Sequence, residues 1–411
     1  MISRKVYYLL NSYRNVGISE SEIREFRKKR IEHILEYAYE YSSFYRIKMN
    51  DSAFKPGEFD DYSDLKALDI TERDELRNNL NSVKTMIEEF TRYISTGSSG
   101  DKFKITYDEQ AADWREAVTV RTELRKGYRP FRKIAELTGN PQTRIGSIFR
   151  PKVAIPRDLS IEQQKQILID ENPSYLIYGA HILFRICKTL SEEEKKSLNI
   201  KKVFNNGELM TEKMEEYIST ELGAEMHDVY ETAEVGQIAW NCPEGGYHIN
   251  EDLVDLEIVD ESGQEVDPGE MGDAVVTGLV NRSVPIIRYR IGDVMVKGKN
   301  NCSCKTEFGK IRSIEGRTEN LIENDEGEIV TPREIIDKLA NFTEIKKFLF
   351  ETDGESYTLK FVRGEDFKPS LLDKLSEEVA ELGFDEVVFD ETNDVERRGW
   401  KAAPVRNYRV E

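Results

Sequence analysis

The chain has 411 residues, with 59 Lys and Arg against 78 Asp and Glu, for a net charge of −19. Apolar residues make up 38% and charged residues 33%, a balance that fits a soluble globular protein and excludes a disordered one. The length fits two or three domains, the acidic surplus disfavours nucleic acid and membrane surfaces, and four cysteines are too few for a disulfide scaffold.

No stretch approaches the roughly 18 apolar residues needed to span a bilayer. The opening MISRKVYYLLNSYRN has too short an apolar run for a signal peptide and no small-residue cleavage site. The expectation is a cytoplasmic, multi-domain protein.

In chain order, residues 20–49 read as a helix, because Ile23, Phe26, Ile31, Ile34, Leu35 and Ala38 recur near the 3.6-residue period. Pro56, Gly57 and the nearby Asp residues read as a loop, and Thr71 with Asp74 and Glu75 as a capped helix start. From about 90 to 290, β-type runs (TRYIS, RIGSIF, KKVFNN, EMHDVY) alternate with helical ones (AADWREAVTVRTELR, IEQQKQILI, TEKMEEYISTEL). That alternation predicts an α/β body with mostly parallel strands. Residues 253–297 turn strand-rich, predicting an appended β subdomain, antiparallel or barrel-like. The last 90 or so residues read α-β-β-α-β, a small α+β module.

Four motifs carry possible chemistry. Ser95-Thr96-Gly97-Ser98-Ser99-Gly100-Asp101-Lys102 follows a strand, and its glycines, hydroxyls and amides suit phosphate oxygens. It lacks the P-loop spacing. In Asp228-Val229-Tyr230-Glu231-Thr232-Ala233-Glu234, an aromatic face for a base precedes a carboxylate suited to Mg²⁺. Asp293, in Tyr289-Arg290-Ile291-Gly292-Asp293, and Arg317, in Gly316-Arg317-Thr318-Glu319-Asn320, offer groups for sugar hydroxyls or phosphate. Taken singly, each has an ordinary structural reading as a surface turn, a helix start or a strand-end ion pair.

A second chemistry is separate. Cys242-x5-His248 and Cys302-x-Cys304 lie on polar, turn-like sequence, and thiolate with imidazole suits a closed, structural Zn²⁺ site. Three unrelated reduced thiols are the alternative. Cys187 in HILFRICKTL reads as a core residue. His181 reads as a core or surface histidine that could line an acyl pocket, His33 reads as a solvated helix residue, and His227 stays open.

Together the motifs resemble the adenylate-forming superfamily of acyl- and aryl–coenzyme A ligases, most closely the branch containing phenylacetate–coenzyme A ligase. STGSSGDK is similar to the family's phosphate loop S/T-S-G-T-T-G-K-P, and VFNNGELMTEKM (Gly207, Glu208) to its Gly-Glu turn near adenine. DVYETAEVG, RYRIGD and EGRTEN resemble D-x-Y-G-x-S/T-E, YRTGD and GRxxD; SSFYR, LDITERDELR and ENPSYLIYG extend the likeness along nearly the whole chain.

The resemblance implies an ATP-dependent ligase that activates a carboxylic acid, by the branch an aromatic one, as acyl-adenylate with loss of pyrophosphate, then passes it to coenzyme A. An amine acceptor, or a non-catalytic nucleotide- or acyl-binding relative, are the alternatives. It implies Ser95, Thr96, Gly97, Ser98, Ser99, Gly100 and Lys102 on phosphate, Gly207, Glu208 and Tyr230 at adenine, and Asp293 and Arg317 at ribose. It further implies Glu234 on Mg²⁺ and Lys401 as the catalytic lysine of a C-terminal lid. The expected division is a body of 1–316, a hinge at 317–320 and a lid of 321–411, with a homodimer left open. Four positions depart from the family pattern: Asp101-Lys102 replaces Lys-Pro, Glu231 replaces Gly, Asn320 replaces the hinge Asp or Lys, and Trp400 is inserted between Gly399 and Lys401.

Overall fold

The computed structural model describes residues 3–85, 90–96, 102–138, 150–300, 302–304, 306–395 and 404–408, with the backbone alone at 90–96 and 102–104. The chain packs as two compact units: 1–97 with 101–127 and 229–314, and 98–100 with 128–228 and 315–411. Among the described residues, no helix is long and apolar enough to cross a membrane.

In the first unit, the helix Glu20–Tyr41 buries Ile23, Ile31, Ile34, Leu35 and Ala38 on one stripe. Ser19 opens it with a capping box, accepting from the Glu22 backbone while the Glu22 carboxylate accepts from Ser19 N. The expected single helix over 20–49 is two. Ser42 is extended (φ −110°, ψ 115°), and its hydroxyl caps a second helix, Ser43–Asp51. A β-hairpin follows, Phe90–Thr96 against Lys102–Asp108, antiparallel with Thr96 opposite Lys102. Asp108 then caps the helix Glu109–Arg125, its carboxylate accepting from Ala111 N at 2.9 Å.

Arg121 of that helix is 1% exposed and pairs with the fully buried Asp252 at 2.6 Å, also donating to Ser12 O at 2.9 Å and to Asn250 Oδ1. Removing one partner of such a pair costs about 3–5 kcal/mol, because the other charge stays buried. Strands Val254–Val259, Met271–Gly278 and Tyr289–Lys297 form an antiparallel meander. Tyr247–Ile249 pairs antiparallel with Gly236–Asn241 and with the start of Lys310–Arg317. The expected strand-rich region is therefore antiparallel, while the expectation of parallel strands fails for the TRYIS hairpin.

The parallel sheet lies in the second unit. Its strands run side by side in the order Lys202–Asn206, Tyr175–Tyr178, Ile134–Thr138, Lys152–Pro156, all parallel. Continuous apolar strands such as Tyr175–Tyr178, buried at every residue, require cover on both faces. Helices Ile161–Glu171, Ala180–Cys187 and Glu212–Leu222 belong to this α/β segment. RIGSIF, expected as a strand, lies outside the described residues.

Residues 315–408 add the expected α-β-β-α-β module: helices Pro332–Ala340 and Leu371–Ala380 and strands Ile345–Thr352, Tyr357–Arg363 and Val387–Glu391. A further strand, Val405–Asn407, joins parallel to Ile345–Thr352. Leu176, Leu183, Val203 and Ile218 share one apolar core with Ile335, Ile336, Phe350, Phe361 and Leu375. The compact units thus cut the chain elsewhere than the expected body and lid, since 315–411 packs with 128–228. The expected hinge is a short 3-10 turn, Thr318–Asn320, with Asn320 buried.

Candidate functional site

Two irregular strands bring together two predicted nucleotide residues, both of the first unit. Along Glu225–Thr232, pairing with Gly236–Asn241 slips after Tyr230: Tyr230 faces Ala239 and Glu231 faces Gln237, leaving Ile238 unmatched. In Tyr289–Lys297, Asp273 faces Val294 and Val275 faces Arg290, so Ala274 alone opposes Ile291, Gly292 and Asp293. Gly292 takes φ +82°, the left-handed region that glycine enters freely. Bulges re-aim side chains, and here the Tyr230 hydroxyl donates to Asp293 Oδ2. Tyr230 is half-buried and Asp293 buried.

The turn after Tyr230 is braced from the helix Glu109–Arg125 and from the strand before it. Tyr107 donates its hydroxyl to Glu234 O at 2.8 Å and Ala233 O at 3.1 Å. Arg115 pairs with Glu231 and donates to Ala233 O at 3.2 Å. Glu231, which stands where the resembling motif carries glycine, is accommodated by this ion pair. The half-buried Glu234 carboxylate has no hydrogen-bond or ion-pair partner among the described residues.

Of the predicted phosphate loop, Ser95 and Thr96 end one strand of the hairpin and Lys102 begins the other. Gly97, Ser98, Ser99 and Gly100 lie outside the described residues, as does Lys401.

Gly207, Glu208 and Arg317 belong to the second unit. Asn205, ending the strand Lys202–Asn206, accepts from Ala180 N at 2.8 Å and donates to Glu208 O at 2.8 Å and to Asp228 Oδ1 at 2.6 Å. The Glu208 carboxylate accepts from His181 N at 2.9 Å, so both side chains cap the helix Ala180–Cys187. A Cβ at Gly179 would lie 2.4 Å from Glu208 Cδ, so only glycine leaves room for this carboxylate. Arg317 is half-buried at the end of Lys310–Arg317, after Gly316 at φ +123°, where a Cβ would meet Pro332 at 2.8 Å. The sequence reading missed Asn205, Gly179, Arg115 and Tyr107. A strand-ending Asn shortly before Gly207 was the available signal for the first; the others are distant in sequence from what they hold.

The four predicted metal ligands converge. The ligand atoms of Cys242, His248, Cys302 and Cys304 all lie within 4.8 Å of one another. Cys242 Sγ is 3.4 Å from Cys302 Sγ, Cys302 Sγ 3.3 Å from Cys304 Sγ, and His248 Nε2 3.1 Å from Cys304 Sγ. His248 Nδ1 is 2.9 Å from Phe308 O. A carbonyl can only accept, so Nδ1 carries the proton and Nε2 turns its lone pair toward the thiols. Burial lowers the His248 pKa to about 4, keeping the ring neutral, and pushes the Cys242 thiol up to about 12. Gly246, at φ +69°, permits the turn between Cys242 and His248 to close against Ile311 O, 2.5 Å from where a Cβ would stand. Three sulfurs and one nitrogen are a donor set that fits a closed zinc site.

The other groups read from sequence resolve simply. Cys187 is buried in the core. His33 is exposed and His181 half-buried. His227 is buried, 5.2 Å between ring centroids from Phe204, with Nε2 3.3 Å from Glu225.

No protein-family model matches the chain. Phenylacetate–coenzyme A ligase of Thermus thermophilus is 23% identical over 333 residues, 74% of this chain and 72% of that one. The Escherichia coli K12 protein of the same name is 25% identical over 294 residues, 67% of each chain. Among solved structures, 2-hydroxyisobutyryl-CoA ligase in the postadenylation state, in complex with 2-HIB-AMP, superposes with a TM-score of 0.82 at 19% identity, covering 96% of this chain and 92% of that one.

Proposed function

We propose that this chain, which has the fold of the adenylate-forming CoA ligases and the phenylacetate–coenzyme A ligases as distant sequence relatives, is an ATP-dependent, AMP-forming acid–CoA ligase. The observation that carries this reading is the meeting of Tyr230 and Asp293 at two β-bulges, Tyr230 leading into the braced turn whose Glu234 carboxylate has no partner among the described residues.

The substrate carboxylate attacks the α-phosphorus of ATP and pyrophosphate leaves. Two anions must be brought together, so catalysis is mainly charge neutralisation and positioning. In this reading Ser95 to Lys102 hold the β- and γ-phosphates. Tyr230 and the Gly207-Glu208 turn hold adenine, and Asp293 and Arg317 the ribose hydroxyls. The Glu234 carboxylate suits Mg²⁺, an ion that prefers oxygen ligands and would neutralise phosphate charge when bound. Lys401 lies between carboxylate and α-phosphate during adenylation. Residues 321–411 then rotate about 317–320 to admit coenzyme A, and the core they share with 128–228 sets the cost of that motion. An aromatic acid is the substrate class that the phenylacetate–coenzyme A ligases among the relatives favour.

Cys242, His248, Cys302 and Cys304 bind one structural Zn²⁺ in the same reading, supported by their donor set and convergence. The functional test is acid-dependent ATP–pyrophosphate exchange across aryl and aliphatic acids, followed by product analysis with coenzyme A and with amines. Lys401→Ala is expected to abolish exchange and leave ATP binding largely intact; unchanged exchange would remove Lys401 from the mechanism.

A further inference from the structure

The turn between Tyr230 and Gly236 is held by two residues that no nucleotide motif contains. Arg115 is 7% exposed and Glu231 17% at the side chain, so their ion pair is largely withdrawn from water. The same guanidinium donates to Ala233 O at 3.2 Å and to Thr232 O at 3.5 Å, and lies 5.1 Å from the centroid of the Tyr107 ring. Tyr107 in turn donates to the carbonyls of Ala233 and Glu234. Gly236 closes the turn at φ +92°, where a Cβ would sit 3.1 Å from Arg115 Cγ.

We propose that Arg115 is a positioning residue of the nucleotide site, which with Tyr107 clamps the turn Glu231–Gly236 and neutralises Glu231, so that of the two carboxylates on this turn Glu234 is left to present charge to the metal–nucleotide. This rests on the adenylation reading above and deepens it. Two carboxylates three residues apart would both repel a polyphosphate. A guanidinium fork that binds one of them and two backbone carbonyls at once fixes the turn and compensates that carboxylate's charge. Both clamp residues follow the predicted phosphate loop in sequence: Tyr107 lies on the strand Lys102–Asp108 and Arg115 on the helix capped by Asp108.

The experiment compares wild type, Arg115→Met, Glu231→Gln and the double variant. It measures MgATP affinity by calorimetry, ATP KM and Mg²⁺ half-saturation in the exchange assay, and thermal unfolding. Arg115→Met leaves Glu231 uncompensated and should weaken MgATP about tenfold or more, raising KM far more than it lowers kcat. The double variant removes the stranded charge and should recover most of that loss. A residue that merely supported the fold would lower Tm without rescue by Glu231→Gln. MgATP affinity unchanged in Arg115→Met, or a double variant no better than the single one, overturns the inference. Wild type that binds MgATP yet exchanges with no acid overturns the ligase reading, while the calorimetry still judges the clamp. Wild type that binds no MgATP overturns both.

Discussion

Lys188 offers a stability measurement with a defined sign. It follows the helix Ala180–Cys187 and reaches residues 342–345, donating to Ile345 O at 2.6 Å and Phe342 O at 3.4 Å, with its Nζ 4.3 Å from the Phe184 ring centroid. Burial lowers its pKa from 10.5 to about 7, against the charge of Glu344. The folded protein thus releases this proton at a lower pH than the unfolded chain does. The cost of burying the ammonium is felt in full below pH 7 and is relieved as pH rises toward 10.5, so this group makes stability rise across that window. Each tenfold of depression is worth about 1.4 kcal/mol, giving at most about 5 kcal/mol; the two carbonyl acceptors and the ring favour the ammonium and reduce it.

Lys188→Met keeps the stem in its apolar surroundings, removes the charge, and leaves two carbonyls without this donor at about 1 kcal/mol each. Urea unfolding of both proteins at pH 7 and near pH 10 isolates the residue, because every other titrating group is common to the two. The expected result is that stability of wild type relative to the variant climbs with pH over this range. Parallel pH profiles would refute the reasoning.

Two further expectations concern the framework. Protein purified without chelator should contain close to one zinc per chain, and stripping it should lower Tm and expose the thiols of Cys242, Cys302 and Cys304 to alkylation; well under one zinc, or an unmoved Tm, would contradict a structural site. Gly179→Ala meets no backbone strain, as Gly179 sits at φ −73°, but its Cβ would press on the Glu208 carboxylate. It should cost about 1–3 kcal/mol in urea unfolding by displacing a helix cap, with a much smaller loss in a Glu208→Ala background; equal losses in both backgrounds would exclude the steric cause.

What the sequence disclosed follows from how locally each feature is encoded. The stripe of Ile23, Ile31, Ile34 and Leu35 is a property of one helix, so periodicity found it. Its end at Ser42 was not visible, because helix-compatible residues stand on both sides and only the cap to Tyr45 N marks the break. Val405–Asn407 is too short to carry a strand pattern and forms only beside Ile345–Thr352. The cysteines and His248 were legible because two short, polar clusters each announce the same ligand chemistry. Tyr230 and Asp293 could be named singly but not joined: the bulges that aim them are properties of strand pairing. Arg115 was wholly illegible as a site residue, for it lies mid-helix and finds Glu231 only across the fold.

The most direct test of an acid-activating enzyme is ATP–pyrophosphate exchange, measured on wild-type protein with Mg²⁺ across a panel of aryl and aliphatic acids. Exchange should depend on one class of acid, fall sharply in Asp293→Ala and Glu234→Ala, and lead to a thioester when coenzyme A is added. Exchange absent with every acid, in protein that is folded and binds MgATP, would contradict the assignment.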